Sequence, residues 1–212
     1  MSEFQQYQFK TLDQPLSPQQ VKRISALSSR SHVTSTSATF VNHYSNFRGN
    51  PVQLMIDDFD AMFYIANWGT KRLMFRFPIN LIDKEAILQY AIETPYSEGI
   101  IEFHLKKEVL VLDFTINEEE GESWIEEDDF NLGDFTPLRE AIINGDYRML
   151  YLAWLKIATE SVDFKMEEDE DQTVITHPPI PLNLKKRTSP LSAFINTFEI
   201  NEDIIRAAAI KS

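Results

Sequence analysis

The stretch Asn50 to Pro78, NPVQLMIDDFDAMFYIANWGTKRLMFRFP, constrains the chain most, because it carries helix punctuation and a two-residue alternation within 29 residues. Asn50 fits an N-cap, Pro51 the first helical turn and Gly69 a left-handed terminus, which together predict one helix from Pro51 to Trp68, about 27 Å long. At about 100° per residue Met55, Ile56, Phe59, Met62, Phe63 and Ala66 share one arc, while Gln53, Asp57, Asp60 and Asn67 gather opposite as a solvated face. Asp58 falls among Leu54, Met62 and Ile65 on the apolar side, where a carboxylate requires a cation or several donors. After Gly69, Leu73, Phe75 and Phe77 alternate with Met74 and Arg76, the mark of a strand. Arg72 and Arg76 are candidate partners for Asp58 or for an external anion, set against the plainer reading of arginines on a wet sheet face.

Upstream, Tyr7, Phe9 and Leu12 suggest a strand ending near Asp13 to Pro15, and Ser17-Pro18-Gln19-Gln20 is a capping box that opens a short helix to about Ser28. The β-branched run from His32 to Val41 favours extended chain, and a polar, aromatic loop follows from Asn42 to Gly49. Downstream, Asp83 caps a helix reaching Ile92, and Ile100 to Leu105 with Val109 to Phe114 form a hairpin around Lys106-Lys107-Glu108.

Charge is distributed unevenly. Residues 116 to 172 hold 18 acidic and 4 basic side chains, a local −14 against −13 for the whole chain. The runs around 118 to 129 and 167 to 171 read as solvated loops, and their spacing does not match the alternating oxygen ligands of a calcium loop. Between them DFTPLREAIINGDYRMLYLAWLKIATES predicts two helices divided at Gly145-Asp146. The second is apolar almost all round, so it is either enclosed by the fold or offers Leu150, Tyr151, Trp154 and Leu155 to a partner. The Pro-rich connector HPPIPLNLKKRTSP then leads to short helices, where Leu191 and Phe194 complete the candidate docking surface.

These elements give an α+β fold, with a small, mostly antiparallel sheet packed on a long central helix and an acidic helical C-terminal half. Residues 1–115 form the core, 116–172 the acidic loops and helical pair, and 173–212 the connector and terminal helices, all within one compact domain. The segments SSRSHVTSTSATFVNHY, FDAMFYIANWGTKRLMFRFP, PLREAIINGDYRMLYLAWL and PPIPLNLKKRTSPLSAFINTF resemble an uncharacterised family of bacterial proteins. The resemblance covers most of the chain and implies kinship without an activity. Family members carry a Trp and an acidic residue in the loop where this chain has His43 to Phe47, and many continue with a charged helical region beyond the position of Ser212.

Function classes narrow by exclusion. With no Cys, thiolate zinc sites and thiol nucleophiles are ruled out, and no glycine fingerprint, P-loop, nucleophile elbow or H-E-x-x-H is present. Neither a cofactor nor a metal is expected. The metal reading, which draws on His32, His43, Asp57, Asp58 and Asp60, and the serine reading, which draws on Ser29 or Ser31 with His43 and Asp58, lack a pattern that forces the groups together. A pI of about 4.7 disfavours nucleic acid, and no apolar run spans a bilayer, so the chain reads as cytoplasmic. The leading expectation is a noncatalytic adaptor that binds another protein through Leu150, Tyr151, Trp154, Leu155, Leu191 and Phe194. The alternative is a small-molecule or phosphate-handling enzyme with a site at Arg30, His43, Arg48 and Asp58. A third reading makes the acidic segment a decoy for a basic protein.

Overall fold

In the computed structural model, which describes residues 4–43, 47–95, 97–117, 130–165 (backbone alone for the last four) and 175–210, eight strands form one antiparallel sheet in the order β2-β3-β1-β4-β5-β8-β7-β6. The strands are β1 (Gln5–Lys10), β2 (Ser31–Val33), β3 (Ser37–Asn42), β4 (Ala61–Ala66), β5 (Thr70–Pro78), β6 (Ile92–Glu93), β7 (Ile100–Lys106) and β8 (Val109–Asn117). Helices α1 (Pro18–Ser25) and α2 (Pro51–Asp57) cover one face of the sheet. Helices α4 (Thr136–Ile143), α5 (Arg148–Lys165), α6 (Ser189–Thr197) and α7 (Glu202–Ala208) cover the other, and α3 (Lys84–Leu88) packs its Ile87 into that second core. The fold is α+β, and its sheet is extensive where a small one was expected.

The long central helix does not form. Asn50 caps α2 as expected, its side chain accepting from the Gln53 N–H, but the helix ends at Asp57. Asp58 and Phe59 both donate their backbone N–H to Leu54 O, and Asp60 then joins the sheet through its N–H to Lys10 O and its O to Arg76 N–H. From Ala61 the chain is β4, the central strand, all six of whose residues are buried. A strand enclosed on both faces loses the polar half of its alternation, so AMFYIA fits a helical arc as well as an extended run. Gly69 is left-handed as predicted, at φ 94°, but it turns a β-hairpin between β4 and β5 instead of ending a helix.

Other expected elements are present, although the helix expected from Asp83 to Ile92 ends at Leu88 and Ile92 begins β6. Ser17 and Gln20 close the capping box of α1, Asp83 caps α3 through the Ala86 N–H, and β7 and β8 form the hairpin around Lys107-Glu108. Leu73, Phe75 and Phe77 of β5 point into the core beneath α4 to α7. The acidic runs lie outside the described residues, apart from Asn117 and Phe130 at their borders. Among the described residues no helix is long and apolar enough to cross a membrane.

Helix α5 is enclosed. Leu150, Tyr151, Trp154 and Leu155 are 0%, 1%, 4% and 8% exposed, and Leu191 and Phe194 of α6 are buried in the same core. The physical reason is the breadth of the sheet, which together with α4, α6 and α7 surrounds a helix that is apolar on nearly every side. The six side chains expected to meet a partner therefore meet their own chain.

Candidate functional site

Arginine pairing separates the surface of the molecule into structural and unassigned charge. The chain has nine arginines, and seven of them bond a carboxylate: Arg23 to Asp58, Arg72 to Asp113, Arg76 to Asp60, Arg139 to Asp13, Arg148 to Asp146, Arg187 to Glu202 and Arg206 to Asp203. Among the described residues only Arg30 and Arg48 have guanidinium groups with no such partner, and both line one open cleft of about 620 Å³. In a chain of net charge −13, two uncompensated arginines on one concavity are a specific local departure.

Three segments build the cleft. The end of α1 and the residues after it supply Ser25, Ala26, Leu27, Ser28, Ser29 and Arg30; the end of β3 supplies Val41 and Asn42 and leads to His43; and the approach to α2 supplies Arg48. Their positions follow from local chemistry. The Leu27 N–H bonds Ile24 O to close α1, the Ser28 hydroxyl accepts the Arg30 N–H at 3.1 Å, and the Ser31 hydroxyl donates to Ser28 O at 2.9 Å. This small hydroxyl-braced turn delivers Arg30 just before β2. Strand β2 pairs with β3 only from Ser31↔Phe40 to Val33↔Ala38, so Val41 and Asn42 extend beyond it and border the cleft. The His43 ring lies 5.6 Å from that of Phe4, tilted by 56°.

Asn42 supplies a further polar feature. Its residue is 8% exposed, and its amide Nδ2 is buried with no hydrogen-bond partner, an uncommon state for a buried donor. No lining residue carries a carboxylate, and apart from Val41, Leu27 and Ala26 the wall is formed by hydroxyl, amide, imidazole and guanidinium groups. Such a wall suits an oxyanion.

Of the four residues assigned to a small-molecule site from the sequence, Arg30, His43 and Arg48 thus share the cleft, and Asp58 does not line it. Asp58 is buried, as its place among apolar neighbours required, but its partners are Arg23 at 2.5 Å and Gln20 at 3.0 Å, both from α1. Arg72 and Arg76, which were candidate partners for it, are taken by Asp113 and Asp60. Asp60, placed on a solvated helix face by the helical reading, is buried. Its Oδ2 accepts the N–H groups of Leu12 at 2.6 Å and Asp13 at 2.9 Å, and its Oδ1 accepts Arg76 Nε at 3.0 Å and Nη2 at 2.5 Å. Burial alone would raise the Asp60 carboxyl, but the two backbone donors and the Arg76 guanidinium outweigh it and hold the group below its ordinary range.

A second polar constellation runs across the sheet. Tyr7, Tyr64 and Arg72 are successive cross-strand neighbours on β1, β4 and β5, and Arg72 forks onto Asp113 of β8, which also bonds His104 Nε2 at 3.0 Å. Burial pushes both tyrosines up, and for Tyr64 the adjacent Tyr7 adds to the shift. Glu102, His104 and Asp113 place one donor atom each within 4.8 Å of one another, a spacing compatible with a metal ion. The Arg72 fork already neutralises Asp113 through both oxygens, so a cation there would sit beside a guanidinium; the arrangement is an ion-pair relay tying β5, β8 and β7. Comparison adds no relative: no protein-family model, curated protein or solved structure matches the chain.

Proposed function

We propose that this protein binds a small molecule bearing a phosphate or comparably charged oxyanion in the cleft of Arg30, His43 and Arg48. The observation that carries the reading is the pairing pattern: the two arginines without a carboxylate face the same concavity, while the other seven are held in ion pairs. A volume of about 620 Å³ falls in the range of small-molecule sites, and the free hydroxyl and amide groups provide secondary donors. The cleft differs from a typical drug-like pocket in being open and polar, which favours a ligand recognised by its charge over one recognised by its apolar bulk.

The reading is one of binding. The sequence-based pairing of His43 with Asp58 as base and orienting acid draws no support from the positions of the two residues, because Asp58 is committed to α1. The adaptor expectation draws none from Leu150, Tyr151, Trp154, Leu155, Leu191 and Phe194, which fill the core.

Calorimetric titration with inorganic phosphate and with a phosphate monoester tests the proposal. Binding that weakens as salt rises, and that falls about tenfold in Arg30→Ala and in Arg48→Ala, is expected. Absence of binding in the wild type, or equal binding by wild type and the Arg30→Ala/Arg48→Ala double variant, overturns it.

A further inference from the structure

Strand β7 has a half-open edge. Along its inner side it pairs with β8 over all seven residues, from Ile100↔Thr115 to Lys106↔Val109. Along its outer side β6 covers only Ile100 and Ile101, so among the described residues Glu102 to Lys106 have no strand beside them. Exposed strand edges template further pairing unless they are covered or discouraged. The other edge of the sheet ends in the three-residue β2, which is too short to offer an equivalent seam.

The five open residues read Glu-Phe-His-Leu-Lys, and this order is complementary to itself when reversed. In an antiparallel pairing centred on His104, Glu102 of one copy stands opposite Lys106 of the other, at both ends of the seam. Phe103 stands opposite Leu105, again twice. Because strand side chains alternate, the Glu and Lys pairs fall on one face and the Phe and Leu pairs on the other. Leu105 is 56% exposed, and the pairing covers it. The two-residue turn Lys107-Glu108, with Lys107 at φ 58°, ends the hairpin directly after the seam. Hydrogen bonding agrees with this geometry: in a two-residue hairpin the closing pair Lys106 and Val109 bond each other, which turns the N–H and C=O of Phe103 and Leu105 outward.

We infer that the β7 edge is a self-association surface, through which two copies join their sheets antiparallel about His104. The occupant is a second copy because the sequence of the edge supplies both charge complements and both apolar complements itself, and an isologous contact requires that property. Five residues per strand make a small seam, so the dimer is a weak one that forms at high protein concentration.

Sedimentation velocity from about 1 µM to about 1 mM tests the inference, since a weak dimer must appear within that range. The wild type is expected to pass from monomer to dimer. Glu102→Lys or Lys106→Glu alone places like charges opposite each other at two points and should weaken association about tenfold or more. The double variant Glu102→Lys/Lys106→Glu restores opposite charges and should recover it, a result that a folding defect would not give. A monomer throughout, or a dimer indifferent to the single reversals, overturns the inference. Neither result bears on the anion cleft, which lies near the opposite edge of the sheet beside β2 and β3.

Discussion

Asp58 and Asp60 stand two positions apart, both buried and both ion-paired, yet the structure secures them differently. Asp60 receives two backbone N–H groups and two bonds from Arg76. Asp58 receives Arg23 and Gln20 on Oδ1, while its Oδ2 has no partner. Asp60→Asn should therefore destabilise the protein by about 3 kcal/mol, since it strands Arg76 in a partly buried site. Asp58→Asn should cost less, about 1 kcal/mol, because the cation it releases, Arg23, is 54% exposed and can turn to water. Urea denaturation of the two variants checks the order, and equal losses would contradict it. The Asp60 carboxyl is held below its ordinary value, so the stability it contributes is fully present above the usual aspartate range near pH 4 and fades as pH falls through its lowered folded value. The gap between wild type and Asp60→Asn should accordingly be constant from pH 7 to about pH 5 and shrink in stronger acid.

At the scale of elements, β4 decides the architecture. Met62 points into the core beneath α1 and α2, and Phe63 into the core beneath α4 to α7. Neighbouring truncations Met62→Ala and Phe63→Ala should both be costly, about 2–5 kcal/mol each. The helical arc would bury Met62 and Phe63 as well, but it would turn Tyr64 to the solvated side with Asp57 and Asp60, whereas in β4 Tyr64 is buried beside Met62; a near-neutral Tyr64→Ala measured by thermal or urea unfolding would count against the strand. The same element shows where the sequence was readable. Local punctuation was: the Ser17 capping box, the Asn50 and Asp83 caps, the left-handed Gly69 and the β7–β8 turn depend on residues a few positions apart. The end of α2 was not, because it is determined by Asp60 bonding Lys10, Leu12, Asp13 and Arg76, partners up to about 50 positions away in the chain. The cleft was legible in part for the same reason. The polar character of Arg30, His43 and Arg48 marked them, but that Arg23 would claim Asp58 depends on how α1 lies against α2.

For the molecule as a whole, the broad sheet explains both what is closed and what remains open. With helices on both faces, the apolar surfaces of α5 and α6 are spent internally, and Leu150, Tyr151, Trp154 and Leu155 of α5 and Leu191 and Phe194 of α6, expected to dock a partner, are buried. What the fold leaves available are its polar rim and its edges: a cleft beside β2 and β3 with two unpaired arginines, and the outer side of β7. Because arginines that serve the fold are tied to carboxylates, removing the two that are not should leave stability nearly untouched. Arg30→Ala and Arg48→Ala should each change the unfolding free energy by no more than about 0.5 kcal/mol, a separation of binding from stability that urea titration can verify.

The most direct measurement is a crystal structure of the protein grown or soaked with tungstate, a heavy phosphate analogue whose position is fixed by its anomalous signal. A peak is expected in the cleft within hydrogen-bond reach of the Arg30 and Arg48 guanidinium groups, and its loss in the Arg30→Ala/Arg48→Ala variant. A cleft that stays empty while tungstate collects elsewhere, such as at Lys185 and Lys186, would contradict the proposal.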